Sequence, residues 1–206
     1  YDDEECEDAE GVPVQTPVPP FTATVEYNGY TATMPQSVQS GSCNSCHVAG
    51  MRIYVPMNES EEVSISYNSE WNLVGLPLEV EDASYNILFP ESTEGTLYSF
   101  DDGYSLETSL IQGEGYWLRF NEAGSTTISG IPISELTLSL TEGWNLMSGI
   151  NTPINISDIQ DPDGIIISGT IYGFASGGYL NAEILEPGKG YWVKTNSSGS
   201  ITLIGN

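Results

Sequence analysis

Positive charge is scarce in this chain: four Lys and Arg residues (Arg52, Arg119, Lys189, Lys194) stand against 29 Asp and Glu among 206 residues. The resulting net charge of −25 repels phosphate backbones and anionic membrane surfaces, which excludes nucleic acid as a partner. No apolar run approaches the ~20 residues needed to cross a bilayer as a helix. Amphipathic helical periodicity is almost absent. Histidine occurs once, as His47, and cysteine three times, as Cys6, Cys43 and Cys46.

What the chain has instead is Ser, Thr, Gly and Tyr in short runs broken by turn residues, the composition of an all-β protein. The first residue is Tyr1 rather than Met, from which a removed leader and an exported, extracellular or cell-surface location are expected. Asn58-Glu59-Ser60, Asn155-Ile156-Ser157 and Asn196-Ser197-Ser198 fit the glycosylation pattern, which is short enough to arise by chance. Residues 1–20 form a separate block: seven of the first ten are acidic, and residues 12–20 read Val-Pro-Val-Gln-Thr-Pro-Val-Pro-Pro. Proline blocks helix and central strand, so this block is expected to be extended, polyproline-like or an edge strand, and to dock on its own domain or on a neighbouring subunit.

Residues 21–34 alternate around Asn28-Gly29, a strong hairpin-turn signal. A further short strand is expected over Met51–Val55. From about residue 62 the sequence repeats itself. Trp71-Asn72-Leu73 recurs as Trp144-Asn145-Leu146, Tyr98-Ser99-Phe100 as Tyr172-Gly173-Phe174, and Gly103-Tyr104 as Gly178-Tyr179. Gly113-Glu114-Gly115-Tyr116-Trp117-Leu118 recurs as Gly188-Lys189-Gly190-Tyr191-Trp192-Val193, at a constant offset of 73 to 75 residues. Each unit ends in a Ser/Thr/Ile strand, Ser125–Ser129 and Ser200–Leu203. The glycines of the GxGYW run are expected to supply positive φ or a bulge before a core strand. Trp117 and Trp192 offer faces on which a sugar could stack, but their repetition favours core anchors. This repeat resembles the WNL…GYW modules of secreted and cell-surface bacterial proteins, known mainly as β-rich scaffolds without catalytic residues.

One motif carries chemistry. Cys43-Asn44-Ser45-Cys46-His47 has the CxxCH spacing, in which two thiols add to the two vinyl groups of a haem and the next His ligates its iron. The motif takes two of three cysteines and the only histidine. One covalent haem c bound by Cys43, Cys46 and His47 is therefore expected. With no second His, the sixth ligand is sought among Met34, Met51, Met57 and Met147, with Met34 or Met57 preferred because they flank the motif at loop-forming distance; the Tyr1 amine, Cys6 or a neighbouring subunit are alternatives. A Cys₃His zinc site including Cys6 would need an awkward geometry at adjacent Cys46 and His47. A CxxC redox pair would need a strand-to-helix setting that this neighbourhood lacks. Cys6 is left as an odd cysteine, a free thiol or an intermolecular disulfide. Residues 21–57 resemble small haem-bearing β modules of exported cytochromes of metal-respiring bacteria, in which a hairpin leads into CxxCH and an Arg-Ile strand ending at Pro follows.

These observations imply an all-β chain with a small haem-bearing β-hairpin module followed by two duplicated antiparallel β modules. The expected boundaries are 1–20 for the tail, 21–61 for the haem module, 62–134 for the first repeat and 135–206 for the second. The expected function is electron transfer at the cell surface by an extracellular monohaem c-type cytochrome, self-associating as a homo-oligomer or filament, with strand addition as the route; the redox partner is not specified by the sequence. A structural or adhesive surface protein with haem as a staple is the alternative. No enzyme is expected: the single His is committed to iron, and Asp101-Asp102 and Asp161-Pro162-Asp163-Gly164 read as turns or weak calcium loops.

Overall fold

The computed structural model describes residues 21–27, 30–36, 60–175 and 177–205. The chain divides into two units, Tyr1–Met57 and Asn58–Asn206. In the first, β1 (Phe21–Tyr27) pairs antiparallel with β2 (Tyr30–Gln36), in a register running from Phe21 opposite Gln36 to Tyr27 opposite Tyr30. This is the hairpin that the alternating pattern predicts, extended by two residues. Asn28 and Gly29 lie outside the described residues, as do the tail 1–20 and the strand expected over 51–55.

The second unit contains both repeats. The first repeat has β3 (Glu61–Tyr67), β4 (Glu70–Gly75), β5 (Leu78–Glu79), a single helical turn α1 (Tyr85–Leu88), β6 (Tyr98–Phe100), β7 (Tyr104–Leu106), β8 (Gly115–Phe120) and β9 (Gly124–Pro132). The second has β10 (Glu135–Leu140), β11 (Gly143–Ser148), β12 (Ile154–Asn155), a 3-10 turn (Ile156–Asp158), β13 (Tyr172–Ala175), β14 (Gly178–Asn181), β15 (Ile184–Leu185), β16 (Gly190–Thr195) and β17 (Gly199–Ile204). Each repeat builds a four-stranded sheet of the same order, β4-β8-β6-β7 and β11-β16-β13-β14. Each also pairs its first long strand with its last, β3 with β9 and β10 with β17. All strand pairings are antiparallel, so the all-β class and the duplicated antiparallel arrangement are observed.

Strand alternation decides what each repeat buries. On β8, Tyr116, Leu118 and Phe120 point into the first core with Ile65, Leu78, Phe89, Leu97 and Ile128, while Trp117 occupies the opposite face. On β16, Tyr191 and Val193 join Met147, Ile150, Leu185 and Ile201 in a second core, and Trp192 is the residue facing away. A third cluster, Leu73, Leu146 and Trp192 with Phe100, Trp117, Tyr172 and Phe174 packed on it, draws residues from both repeats.

The repeated WNL run has a local cause. Asn72 accepts from Asn68 N at 2.9 Å and donates to Asn68 O at 2.8 Å and Glu70 O at 3.1 Å, fastening the turn in which Glu70 takes φ 70°. Asn145 does the same, accepting from Thr141 N at 2.9 Å and donating to Thr141 O at 2.8 Å, around Gly143 at φ 105°.

The GxGYW run joins the two repeats. Gly113 and Gly188 take φ 82° and 74°, the positive values expected of the first glycine. A Cβ on Gly113 would lie 2.2 Å from Leu138 of the second repeat, and one on Gly188 would lie 2.3 Å from Ile65 of the first. The backbone bonds are reciprocal as well: Gly75 N donates to Gly188 O at 3.1 Å, and Ser148 N to Gly113 O at 2.9 Å. Gly75 and Ser148 occupy equivalent positions of the repeat, and a Cβ on Gly75 would stand 2.1 Å from Ser148 Cβ. Only one of the two positions has room for a side chain.

Candidate functional site

The strongest concentration of chemistry-capable side chains among the described residues lies where the repeats meet. Trp71 on β4, Tyr98 on β6, Tyr104 on β7 and Trp117 on β8 surround a cavity of about 450 Å³, and Phe174 from β13 of the other repeat completes its wall. A second cavity of about 450 Å³ is lined by Trp144, Tyr172, Tyr179 and Trp192, completed by Phe100 from the first repeat. Residue for residue, these are the same five positions of the duplicated unit. All four tryptophans of the chain are used here.

Ring geometry confirms the equivalence. Trp71 and Trp117 meet edge to face at 6.4 Å and 90°, Trp144 and Trp192 at 6.2 Å and 89°. Trp117 packs on Phe174 at 4.8 Å and 77°, Trp192 on Phe100 at 4.8 Å and 75°. Such arrangements suit the ring quadrupoles, each worth about 0.5–1.5 kcal/mol beyond area burial. The hairpins β6–β7 and β13–β14 therefore reach across, each lending its Phe to the other repeat's Trp. Asp101-Asp102 forms the tip of the first hairpin, with Asp102 at φ 52° and Asp101 N donating to Gly103 O at 3.0 Å.

Trp192 is 8 % exposed, in keeping with the core-anchor expectation, and Trp117 is half-buried. The mouths of the clefts are different. Trp71 is 38 % exposed and Trp144 42 %, with Tyr104 at 58 % and Tyr179 at 55 %. No lining residue is charged. Burial, and then the neighbouring Tyr104, raise the Tyr179 hydroxyl above its ordinary pKa, with the nearby Trp192 indole opposing. Trp192 Nε1 is itself buried and makes no hydrogen bond of regular geometry.

The three cations of the described residues are all engaged. Arg119 Nη2 pairs with Glu70 Oε2 at 2.9 Å. Lys194 Nζ stands 5.7 Å over the Trp144 ring beside the second cleft. Lys189 Nζ donates to the Ser66 carbonyl, and burial holds its pKa below the usual lysine value against the pull of Glu186.

Cys43, Cys46, His47 and Met57 fall outside the described residues, as do Cys6 and Met51. Met34 is placed on β2 opposite Ala23. Met147 is fully enclosed in the second core, the gap-filling role of a structural methionine. Asp161 is a turn residue: its carboxylate accepts from Ile165 N and Ile166 N, both at 2.9 Å. Among the described residues no group of three or more His, Cys, Asp and Glu is placed to hold a metal, and no helix is long and apolar enough to cross a membrane.

The repeat positions single out every cleft residue in sequence. What they do not announce is the exchange of Phe100 and Phe174, which depends on how the two repeats pack. No protein-family model, curated protein or solved structure matches the chain.

Proposed function

We propose that the protein is an extracellular monohaem c-type cytochrome that transfers electrons at the cell surface as a subunit of a multimer or filament. The observation that carries this is the run Cys43-Asn44-Ser45-Cys46-His47, which takes the only histidine and two of three cysteines. The donor set fits the group chemically: two thiols at the spacing of the haem vinyls, followed at once by an imidazole for the iron. When bound, haem c supplies a one-electron couple. Cys43 and Cys46 would hold it covalently, His47 would ligate its iron, and Met34 or Met57 would supply a further ligand. The unit Asn58–Asn206 is the scaffold that carries the module, and its acidity selects cationic redox partners and keeps anionic surfaces away.

The test is an absorbance spectrum of protein matured in a secretory host competent for c-type haem attachment. A Soret band that survives denaturation, and is lost in the Cys43→Ser/Cys46→Ser variant, is expected. Absence of the band in the parent protein overturns the haem assignment. Particles that remain monomeric by size-exclusion chromatography and electron microscopy overturn the assembly.

A structural or adhesive surface protein is the second reading, favoured by the size of the duplicated scaffold relative to one short motif. Haem would then serve as a staple for a module too small to stabilise itself. A haem that raises the melting temperature of the module but exchanges no electrons with soluble donors would select it.

A further inference from the structure

We propose that the two aromatic clefts are docking sites for the chain's own proline-rich segment, residues 12–20, delivered by a second copy. The inference rests on the assembly part of the function proposed above and names the contact that would make it.

The clefts supply a specific chemistry. Each presents a part-exposed Trp (Trp71 or Trp144) and a more exposed Tyr (Tyr104 or Tyr179) at its mouth, with no charge in its lining. Slots between a Trp and a Tyr suit proline: the pyrrolidine ring is flat and apolar, its C–H bonds meet the electron-rich ring faces, and a polyproline segment has already lost the freedom that binding would cost. The chain carries one segment of matching character. Residues 12–20 contain Pro13, Pro17, Pro19 and Pro20, alternate them with Val, and bear no charge, although seven of the first ten residues are acidic. An acidic segment would be turned away by a chain whose net charge is −25; residues 12–20 carry no charge and are not. In polyproline geometry nine residues extend about 28 Å at ~3.1 Å each.

The four tryptophans give a direct readout, since all of them line the clefts and a peptide of residues 11–21 contains none. Three full-length proteins are compared: the parent, a tail variant with Pro13, Pro17, Pro19 and Pro20 each replaced by Ala, and a cleft variant, Trp71→Ala/Trp144→Ala. A second cleft variant, Tyr104→Ser/Tyr179→Ser, changes only side chains that are more than half exposed, and so reports on the cleft if the first folds poorly. The parent is expected to sediment as an oligomer and each variant alone as a monomer. A mixture of tail and cleft variants is expected to form a complex of one tail variant with up to two cleft variants, because the tail variant keeps both clefts and each cleft variant brings one segment. Adding the peptide to the tail variant is expected to move tryptophan emission to the blue, and about tenfold more peptide is expected for the tyrosine variant.

Assembly of the tail variant equal to that of the parent overturns the proposal, as does a peptide that leaves emission unchanged. A parent that stays monomeric while its emission is already blue of the tail variant places the segment on its own chain and overturns delivery by a second copy. A shift produced by a soluble glucan oligosaccharide and not by the peptide reassigns the clefts to sugars. The Soret band of the same samples separates the outcomes: haem present without a peptide effect removes the docking alone, and a peptide effect without haem removes the cytochrome assignment alone.

Discussion

Phe100 lies edge-on against Trp192, ring centroids 4.8 Å apart, although the two side chains belong to different copies of the duplicated unit. Phe174 and Trp117 repeat the contact in the opposite direction at the same distance. The seam between repeats thus includes two exchanged rings, each removing apolar surface from water that neither repeat could bury alone.

Phe100→Ala and Phe174→Ala should destabilise the second unit by similar amounts, about 2 kcal/mol each, below the 3–5 kcal/mol of a fully buried Phe because both rings are only partly covered. Urea unfolding of the two variants checks this. A large loss for one and none for the other would show that the seam is not shared equally.

Gly75→Ser should be more damaging than its small volume suggests, since its Cβ would stand 2.1 Å from Ser148 Cβ. Overpacking of this kind costs about 1–3 kcal/mol or more. The exchanged pair Gly75→Ser/Ser148→Gly should recover most of the loss, as a double-mutant cycle would measure.

Asn72→Ala should cost about 1–3 kcal/mol, because the buried amide closes the turn before β4 with three hydrogen bonds. Asp102→Gly should act in the other direction, by up to ~1 kcal/mol, since Asp102 holds φ 52° at an exposed hairpin tip. Thermal melts of the two variants are expected to move in opposite directions.

Alkaline pH should unfold the scaffold through two tyrosines. Burial, more than the approach of Glu186, pushes Tyr191 up to about 12, and burial with Glu114 raises Tyr116 further. Both stay protonated in the fold at pH values where an unfolded tyrosine, with pKa near 10, releases its proton. Their contribution is whole below pH ~10 and is lost as pH rises toward the folded values. Absorbance at 295 nm should therefore rise in two stages, exposed tyrosines first and Tyr116 with Tyr191 only on unfolding. Gradual ionisation of all tyrosines with intact circular dichroism would contradict this.

Much of the scaffold can be read from its residues. The 73-to-75-residue offset gives the duplication, alternation along Tyr116-Trp117-Leu118 separates the core face from the seam face, and Gly113 and Gly188 take the positive φ expected of them. Alternation, however, tells which face a side chain occupies and not which neighbour it meets. For that reason the Phe exchange and the Gly75–Ser148 contact were invisible: both depend on the packing of one repeat against the other. Trp117 and Trp192, whose repetition points to core anchors, are anchors that also form cleft walls. The CxxCH run is legible only in sequence, because Cys43, Cys46 and His47 lie outside the described residues.

The engagement of every described cation has a consequence for proteolysis. Arg119 lies on β8 and Lys194 on β16, each a central strand of its four-stranded sheet, and Lys189 is tied to the Ser66 carbonyl in the turn that joins the repeats. A protease that cuts after Lys or Arg can draw none of these backbones into its active site without first dismantling a sheet or the seam. Digestion of the unit Asn58–Asn206 by such an enzyme then proceeds no faster than the scaffold opens, so the half-life of that unit in trypsin is a measure of how firmly the two repeats hold each other.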